Sequence, residues 1–561
     1  MNLRILVSPS PVGRTVVAQS LRLPCLWIGR RCGFPTVFLL AIAFCANAGA
    51  PITRVRTDIA QAQVPTWTKD DMNFFLHGSM STEVVPEAVL HAFIKTYPDL
   101  FSTADLSHLG LTPDPVFGWP IGFSRKPVKH LGGLEAVGIN CASCHVAHIT
   151  SSSSKEPIRI LGVTSHFNVE AFFNSVLIAT FKTSDPTNMK QFLKAYVAEV
   201  EGKDAKNSAI FDDEWDKETK QIADVISSDP FGSKGVKPGE LHAISPEDVQ
   251  PDLEKLGSHD LAPFAVLAQN MLKLFHNMRA ALHVPDKPPE KVPPASGPGR
   301  NDAFGILAAS LLHSPTPYAP IKFGLVWNVG QRTWVHWDGN TRSPISRNLL
   351  ASLGLGGPMH GKHGDLVFAD VNRQTDLSEE IAPPKYPFKI DNEAAKRGAP
   401  LFAKNCNSCH GGPESDKRLF GVADVGTDPR RAEMFTQKLA DGFNEFLAEL
   451  ETEGYKPPKE VGVRSTGKYW AATLSGVWAR SPYLHNGSLR TMAQLLTPPG
   501  ERAKDFRRGS RVFDENEMGY TDEGAYVLDN SASGNSNSGH DYGTKLSPEE
   551  KQDLIEYLKT L

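Results

Sequence analysis

The chain has 561 residues, with 59 basic and 63 acidic side chains and a formal net charge of −4. This length is more than one hydrophobic core organises, so about two or three domains are expected. The nearly balanced charge argues against nucleic acid as a partner, because binding to phosphates depends on clustered lysine and arginine.

Residues 1–48 are predicted to be an export signal peptide. Arg30 and Arg31 precede the apolar run FPTVFLLAIAFCA, and the small residues of ANAGA follow it, so cleavage is expected after Ala48. The alternative is an uncleaved membrane anchor, but the apolar run is shorter than the roughly 20 residues that span a bilayer. Because no later segment is apolar enough either, we expect an exported chain, periplasmic or secreted, with no membrane span after cleavage.

Helical patterns dominate residues 49–385, which are predicted to form the first domain of the mature chain. The leading segment contains PEAVLHAFIKTYPDLF, in which apolar residues recur at helical spacing. The stretch from about 170 to 290 contains similar patterns, such as VEAFFNSVLIATF, and is predicted to be a helical insertion. The segment VPDKPPEKVPPASGPGR, at 284–300, is a proline-rich connector.

Residues 386–561 are predicted to form the second domain. This part leads with the amphipathic stretch DNEAAKRGAPLFAKNCNSCH and closes with SPEEKQDLIEYLKTL, where Ser547 and Glu550 form a capping box that starts a helix. A helix that runs into a Cys-x-x-Cys-His motif and a closing helix are typical of cytochrome c domains. The 42 prolines and 46 glycines predict many irregular loops between such elements.

The sequence Cys-x-x-Cys-His occurs twice, in NCASCH at 140–145 and in NCNSCH at 405–410. Two thiols three residues apart on one helical turn can bond both vinyl groups of one porphyrin, and the next residue then presents its imidazole to the iron. The two motifs therefore predict two covalently bound c-type haems, haem 1 and haem 2. The predicted attachment residues are Cys141 and Cys144 for haem 1 and Cys406 and Cys409 for haem 2, with His145 and His410 as the proximal iron ligands.

Other uses of these four cysteines fit less well. Disulfides would suit an exported chain, but they give no reason for a histidine directly after each pair. In a zinc ribbon the two Cys-x-x-Cys pairs lie about 15–20 residues apart, far closer than here. A thioredoxin-like site needs a βαβ setting that the sequence does not predict.

Several further stretches resemble the bacterial diheme cytochrome c peroxidase superfamily. HWDGN at 336–340 is similar to that family's W-D-G motif, and SPYLHNGSLRTMAQLL at 481–496 is similar to its P-Y-x-H-D/N-G-S motif. Within the superfamily, HGSMSTEVV, WPIGFSRKPVKHLGGLEAVGINCASCH and HWDGNTRSPISRN most resemble the diheme rubber oxygenases and their relatives. The resemblance covers both haem regions, about two thirds of the chain, and leaves out 170–290. It implies a mainly α fold with two cytochrome c-like haem domains.

The resemblance also implies roles for single residues. Trp337 would lie between the haems as an electron-transfer bridge, although a core aromatic residue is the plain alternative. His540 would be the second axial ligand of haem 2, with Met492 and Met518 as competitors. A calcium ion would lie between the domains, held by oxygen atoms. The residues implied for calcium are Asn301, Arg480 and Pro482, although a lone loop asparagine is usually a turn former.

The sequence departs from the peroxidase pattern around haem 1. The histidine expected before the W-D-G motif and the glutamate expected about twenty residues after its tryptophan are both missing, so haem 1 is predicted to be open to dioxygen or peroxide. His360 or His363 could substitute as the distal acid/base, with exposed loop histidines as the alternative. The phenylalanine of rubber-cleaving members is missing as well, and only Leu353 or Leu355 could fill its space.

Three functions follow from this pattern. The first is an oxygenase that uses dioxygen at haem 1 on an unsaturated hydrophobic substrate, with haem 2 as the electron-transfer centre. The second is a peroxidase that reduces hydrogen peroxide with electrons from a donor protein, and the missing acid weighs against it. The third is a non-catalytic diheme electron carrier, which an open haem 1 disfavours.

Overall fold

Among the described residues helices are much more extensive than strands, which confirms the mainly α part of the predicted fold. The computed structural model describes residues 55–202, 220–230, 234, 236, 240–256, 260–284, 296–357, 367–412, 418–452 and 455–561. The predicted signal peptide lies outside these residues. The helices are α1 Asp58–Gln63, α2 Lys69–His77, α3 Glu87–Thr96, α4 Cys141–His145, α5 Val169–Thr183, α6 Pro186–Glu201, α7 Lys220–Ser228, α8 Pro246–Val249, α9 Leu253–Leu256, α10 Ala262–Ala281, α11 Ala303–Ser310, α12 Ser343–Gly354, α13 Phe368–Glu380, α14 Asn392–Asn405, α15 Asn407–His410, α16 Val422–Val425, α17 Arg430–Met434, α18 Gln437–Thr452, α19 Met492–Leu495 and α20 Pro548–Lys559.

Short strands connect these helices. They are β1 Val85–Pro86, β2 Phe123–Val128, β3 Leu134–Ile139, β4 Val146–Ser151, β5 Ile158–Leu161, β6 Arg300–Asn301, β7 Ile321–Lys322, β8 Trp334–Val335, β9 Thr341–Arg342, β10 Leu419–Gly421, β11 Lys468–Trp470, β12 Asp505–Arg508, β13 Val512–Asp514, β14 Gly519–Tyr520 and β15 Tyr526–Asp529. The larger sheets have the orders β1-β3-β2 and β14-β13-β4-β5, and the pairs are β6-β7, β8-β9, β10-β11 and β12-β15.

One sheet joins the two predicted domains. Strand β4, which directly follows the first Cys-x-x-Cys-His motif, pairs in parallel with β13, with Thr150 opposite Val512. The other described pairings between named strands are antiparallel. The described residues, from 55 to the C-terminus, belong to one compact unit. Backbone hydrogen bonds therefore connect the two parts of the chain on either side of the predicted boundary between residues 385 and 386.

The helices of the 170–290 stretch pack beside the first motif. Phe93 of α3, Phe192 of α6 and Phe275 of α10 meet with ring centres 5.3 to 5.6 Å apart. Phe172 of α5 meets Phe123 of β2 edge to face at 5.5 Å. Offset and edge-to-face aromatic contacts of this kind stabilise a core beyond the burial of their area. The described part of this stretch is helical, as the periodicity predicts.

The two predicted end helices of the second domain, α14 and α20, pack directly on each other. Gly398 allows this approach, because a Cβ there would lie 2.1 Å from the Asp553 carbonyl oxygen. Arg397 donates two hydrogen bonds to the Asp553 carboxylate, at 2.8 and 2.7 Å. The capping box at Ser547 and Glu550 is present as predicted. This packing fixes the helix that leads into the second motif.

Membrane-spanning helices were sought in the described ranges. No helix there combines the length and the apolar character that crossing a bilayer requires.

Candidate haem sites

The first motif forms α4, a short helix between β3 and β4. Asn140 caps this helix, because its side-chain oxygen accepts a hydrogen bond from the Ala142 amide at 2.9 Å. The Asn140 side-chain amide in turn donates to the Gly78 carbonyl at 2.8 Å. The cap therefore holds the thiols and the imidazole of the motif in one place, as covalent attachment of a porphyrin requires.

The chemistry of the first motif suits haem better than zinc. Both thiols are free, and burial raises the pKa of Cys144 to about 12. A structural zinc site needs four ligands, whereas no group of three or more His, Cys, Asp or Glu among the described residues could hold a metal ion. Burial lowers the pKa of His145 to about 3, and the charge of Arg347 adds to this effect. A neutral imidazole is the form that ligates iron.

A cavity of about 800 Å³ opens beside the first motif. Its volume lies within the range of about 300–1,000 Å³ typical of ligand pockets. The lining is mostly apolar, and it includes Cys141, Cys144 and His145. The main apolar lining residues are Phe173, Leu177, Leu282, Ile306, Leu350 and Leu355.

The second motif forms α15, and His410 has a fixed orientation there. Its Nδ1 lies 2.7 Å from the Ala472 carbonyl oxygen and donates to it. This hydrogen bond leaves Nε2 without a proton, which is the form of histidine that binds a metal. A cavity of about 190 Å³ is lined by Cys406, Cys409, His410 and His540.

His410 and His540 face each other across this smaller cavity. Their ring centres are 6.2 Å apart, with 47° between the ring planes. Two imidazoles bound to opposite sides of one metal ion by bonds of about 2 Å have ring centres about 6 Å apart. Burial lowers the pKa of His540 to about 4, and its Nδ1 has no hydrogen-bond partner among the described residues. The site therefore fits a haem iron between two histidines.

Arg502 stabilises the loop that carries His540 through hydrogen bonds. All five N–H groups of Arg502 donate to main-chain carbonyls, and two of these carbonyls belong to Gly539 and His540, at 2.7 and 3.1 Å. Gly539 has φ +68°, and a Cβ there would lie 2.1 Å from the Gly426 carbonyl carbon, so only glycine fits. The remaining three carbonyls belong to Leu495, Thr497 and Asn537.

We expect Arg502→Lys to loosen His540. Lysine keeps the charge but lacks the planar fork, so several of the five hydrogen bonds are lost. The free energy of unfolding should fall by about 2–3 kcal/mol, and haem 2 should lose part of its low-spin, six-coordinate absorption and EPR signal. Arg507→Lys, at an exposed position of β12, is the control and should change neither. An unchanged haem 2 spectrum in Arg502→Lys would contradict this role.

Three side chains line both cavities, namely Lys322, Trp337 and Trp470. We call these three residues the shared wall. Trp337 Nε1 donates to the Lys322 carbonyl oxygen at 3.0 Å, and the Trp470 amide donates to the Trp337 carbonyl oxygen at 2.8 Å. The structure thus places Trp337 between the two motif cavities, where the resemblance puts its bridge.

The turn that carries Trp337 is anchored by a buried ion pair. Arg431 lies 3.1 Å from the Asp338 carboxylate, and both side chains are almost fully buried. His336 precedes Trp337 with φ +75°, an uncommon conformation for a residue with a side chain. An ion pair of this kind costs much to break, because a charge left alone in the interior is poorly solvated. The position of Trp337 is therefore strongly determined.

The residues implied for calcium are not arranged as a calcium site, because a lysine side chain binds the carbonyls expected to hold the ion. The Lys322 ammonium donates to the Arg480 carbonyl at 2.5 Å and to the Pro482 carbonyl at 2.7 Å. Asn301 lines the larger cavity. With the ammonium on both carbonyls, these residues do not fit a calcium ion. Within the described ranges, no group of three or more His, Cys, Asp or Glu residues could hold a metal ion either.

The other candidates have different outcomes. His360 and His363 lie outside the described residues, so their roles stay predictions. Met492 lines the smaller cavity, whereas Met518 is buried and does not line it. Leu355 lines the larger cavity, and Leu353 does not.

Sequence reasoning missed several residues of these sites. His336, Glu170 and Asp302 line the larger cavity, and Lys322 and Trp470 belong to the shared wall. His336 directly precedes the W-D-G motif, so the motif could have identified it as a residue of the site. The others have no local pattern, because long-range packing alone brings them to the cavities.

We expect the protein to lose stability in acid. Burial lowers the pKa of His166 and of His485 to about 3, whereas a histidine of the unfolded chain titrates near pH 6.5. The unfolded state therefore binds more protons below about pH 6.5, and each residue costs up to about 1.4 kcal/mol of stability per pH unit. Thermal unfolding should show a lower Tm at pH 5 than at pH 7. His485→Asn should reduce this difference, and an equal loss in the variant would contradict the assignment.

Comparison with known proteins identifies related chains. Residues 467–507 match a family described as RoxA-like, cytochrome c-like. The uncharacterized protein y4iJ of Sinorhizobium fredii (strain NBRC 101917 / NGR234) is 28% identical over 389 residues, 53% of this chain and 65% of y4iJ. The uncharacterized protein y4iM of the same strain is 30% identical over 320 residues, 49% of this chain and 72% of y4iM. The match thus spans slightly less than two thirds of y4iJ. A cytochrome c-like domain implies covalently bound haem.

Proposed function

Since this chain belongs to the family of y4iM and has a RoxA-like, cytochrome c-like domain, we propose that it is an exported diheme c-type oxidoreductase. Haem 1 is the catalytic centre for dioxygen, and haem 2 is the electron-transfer centre. The protein works in the periplasm or outside the cell. Its partners are a small oxidant, an electron-donor protein and an unsaturated hydrophobic substrate, with no nucleic acid.

The difference between the two motif histidines carries this proposal. His410 faces a second imidazole, that of His540, at 6.2 Å. The ring contact of His145 in the described part of the chain is with Phe323, edge on at 6.4 Å. The cavity beside His145 has about 800 Å³ and the cavity beside His410 about 190 Å³. A centre with two fixed histidine ligands suits electron transfer, whereas a centre with one fixed histidine suits reaction with a small oxidant.

Bound haem supplies an iron that binds and activates small oxidants. The protein's own contribution at haem 1 is a mostly apolar space. Ile306 and Tyr318 line this space and are 45% and 41% exposed, so they mark its opening to solvent. An apolar lining with an opening at the surface favours a hydrophobic substrate.

A peroxidase is the second candidate function, because two buried carboxyl groups line the larger cavity. Burial raises the pKa of Glu170 and of Asp302. A carboxyl group with a raised pKa can hold a proton for peroxide cleavage. Glu170, however, accepts hydrogen bonds from the Asp302 amide at 2.9 Å and from the Ser296 hydroxyl at 2.8 Å. These bonds indicate that Glu170 ties the end of the proline-rich connector and the segment that follows it to α5, and this structural role favours the oxygenase.

The deciding experiment supplies the purified diheme protein with hydrogen peroxide in one assay and with dioxygen in another. First, hydrogen peroxide and a reduced c-type cytochrome are added, and oxidation of the cytochrome is followed spectrally after removal of free haem. Second, oxygen uptake is followed with detergent-dispersed squalene as a stand-in for unsaturated hydrocarbons. We expect oxygen uptake with squalene and little peroxide turnover. Peroxide turnover at enzymatic rates that Glu170→Gln abolishes would instead make the protein a peroxidase and refute the oxygenase.

A further inference from the structure

Lys322 is an unusual component of the shared wall. Its side chain is 2% exposed, although lysine is almost never fully buried without a partner. Its Nζ donates to the carbonyls of Arg480 and Pro482 at 2.5 and 2.7 Å. These two carbonyls therefore use two of the three N–H donors of the ammonium group.

Two aromatic rings provide the rest of the environment of this ammonium. The Nζ lies 5.3 Å from the centre of the Trp337 ring and 5.9 Å from that of Tyr483. A cation within about 6 Å of an aromatic ring centre is attracted to its negative face. Burial acts in the opposite direction and, together with the nearby charges of Arg480 and Arg508, lowers the pKa of Lys322 well below that of a free lysine. Carbonyls and rings are thus the groups that stabilise a positive charge at this position.

The backbone of Lys322 holds the same elements together. Its amide donates to the His485 carbonyl at 3.0 Å, and its carbonyl accepts from Trp337 Nε1 at 3.0 Å. Lys322 therefore contacts Trp337 from both its side chain and its main chain. It also joins the turn that carries Trp337 to the 480–485 segment of the smaller cavity.

We propose that the Lys322 side chain takes the place, in the shared wall, of the calcium ion that the family resemblance implies. Main-chain carbonyls are typical calcium ligands, and here the ammonium holds both of them. With the Lys322 amine donating to both of them, neither carbonyl oxygen faces an open position for a divalent ion. Lys322 consequently positions Trp337 without any bound metal. The positioning role rests on the proposed electron transfer through Trp337, whereas the metal independence does not.

The test uses the full diheme protein and begins with the unchanged chain. Metal analysis after purification should find no stoichiometric calcium, and treatment with EGTA should leave the Tm unchanged. Stoichiometric calcium, or a Tm that falls with EGTA and returns with calcium, would overturn the proposal. This measurement needs neither an assay of turnover nor a substituted protein that folds, so it stays decisive if no oxygenase or peroxidase activity is found.

Substitutions then test the positioning role. Lys322→Met leaves two buried carbonyls without a donor, so the Tm should fall by about 3 °C, and electron transfer between the haems should slow. Lys322→Ser leaves room for an ion, so its Tm should rise with added calcium, while that of the unchanged protein does not. Lys468→Met, at an exposed position of β11, is the matched control and should behave like the unchanged protein. A Lys322→Met protein with unchanged Tm and unchanged electron transfer would overturn the proposal.

Discussion

A protein with both Cys141→Ser and Cys144→Ser is expected to carry one covalent haem instead of two and to lose all oxidoreductase turnover. Serine hydroxyls do not form the thioether bonds that hold a c-type haem, and the larger cavity then lacks its reactive centre. The pyridine haemochrome absorbance per chain should fall by half, and the mass of the chain should fall by that of one haem. Because α4 is capped by Asn140 rather than by either thiol, the local fold should persist.

The matched control for this prediction lies in the same chain. A protein with Cys406→Ser and Cys409→Ser should also lose one haem, but it keeps the cavity of about 800 Å³ beside the first motif. The control should therefore still bind carbon monoxide when reduced chemically, while the first variant should not, because we propose that its remaining haem is held between His410 and His540. If both variants bind carbon monoxide equally, the division into an open and a closed centre is wrong.

Short-range patterns in the sequence predicted the local structure well. The capping box at Ser547 and Glu550 starts α20 as expected, because a cap depends on residues only three positions apart. The spacing of apolar residues likewise predicted helices such as α5. The parallel pairing of β4 with β13 was not predictable in this way. It joins residues about 360 positions apart, such as Thr150 and Val512, and no local pattern specifies a partner at that distance.

The candidate sites show the same division between local and long-range information. The two motifs identified four thiols and two imidazoles, because the spacing itself carries the chemistry. His540 and Trp337 were placed through resemblance, and their positions beside the cavities suit those roles. Lys322 was missed because its neighbours in the sequence, PIKFGL, are typical of those around an exposed lysine in a strand. Its role comes from carbonyls about 160 residues away.

Trp337→Leu is expected to slow electron transfer between the haems by an order of magnitude or more. Trp337 lines both cavities, and its indole is held by the Lys322 carbonyl at 3.0 Å. Leucine has no π system, and it leaves a gap in the shared wall at a cost of about 2 kcal/mol in the free energy of unfolding. Rapid mixing with a reductant that reaches only haem 2 should show haem 2 reduced at the normal rate and haem 1 reduced slowly.

Trp334→Leu is the matched control, since this tryptophan lies three residues earlier on β8 and lines neither cavity. Its ring instead packs against the guanidinium groups of Arg342 and Arg464, at 5.7 and 3.7 Å from the ring centre. The control loses an aromatic residue and some stability from the same turn, but it keeps the shared wall, so the haem 1 reduction rate should stay normal. Equal slowing in both variants would mean that the turn as a whole, and not the Trp337 ring, determines electron transfer. Slowing in Trp337→Leu alone would assign the path to the ring between the two cavities.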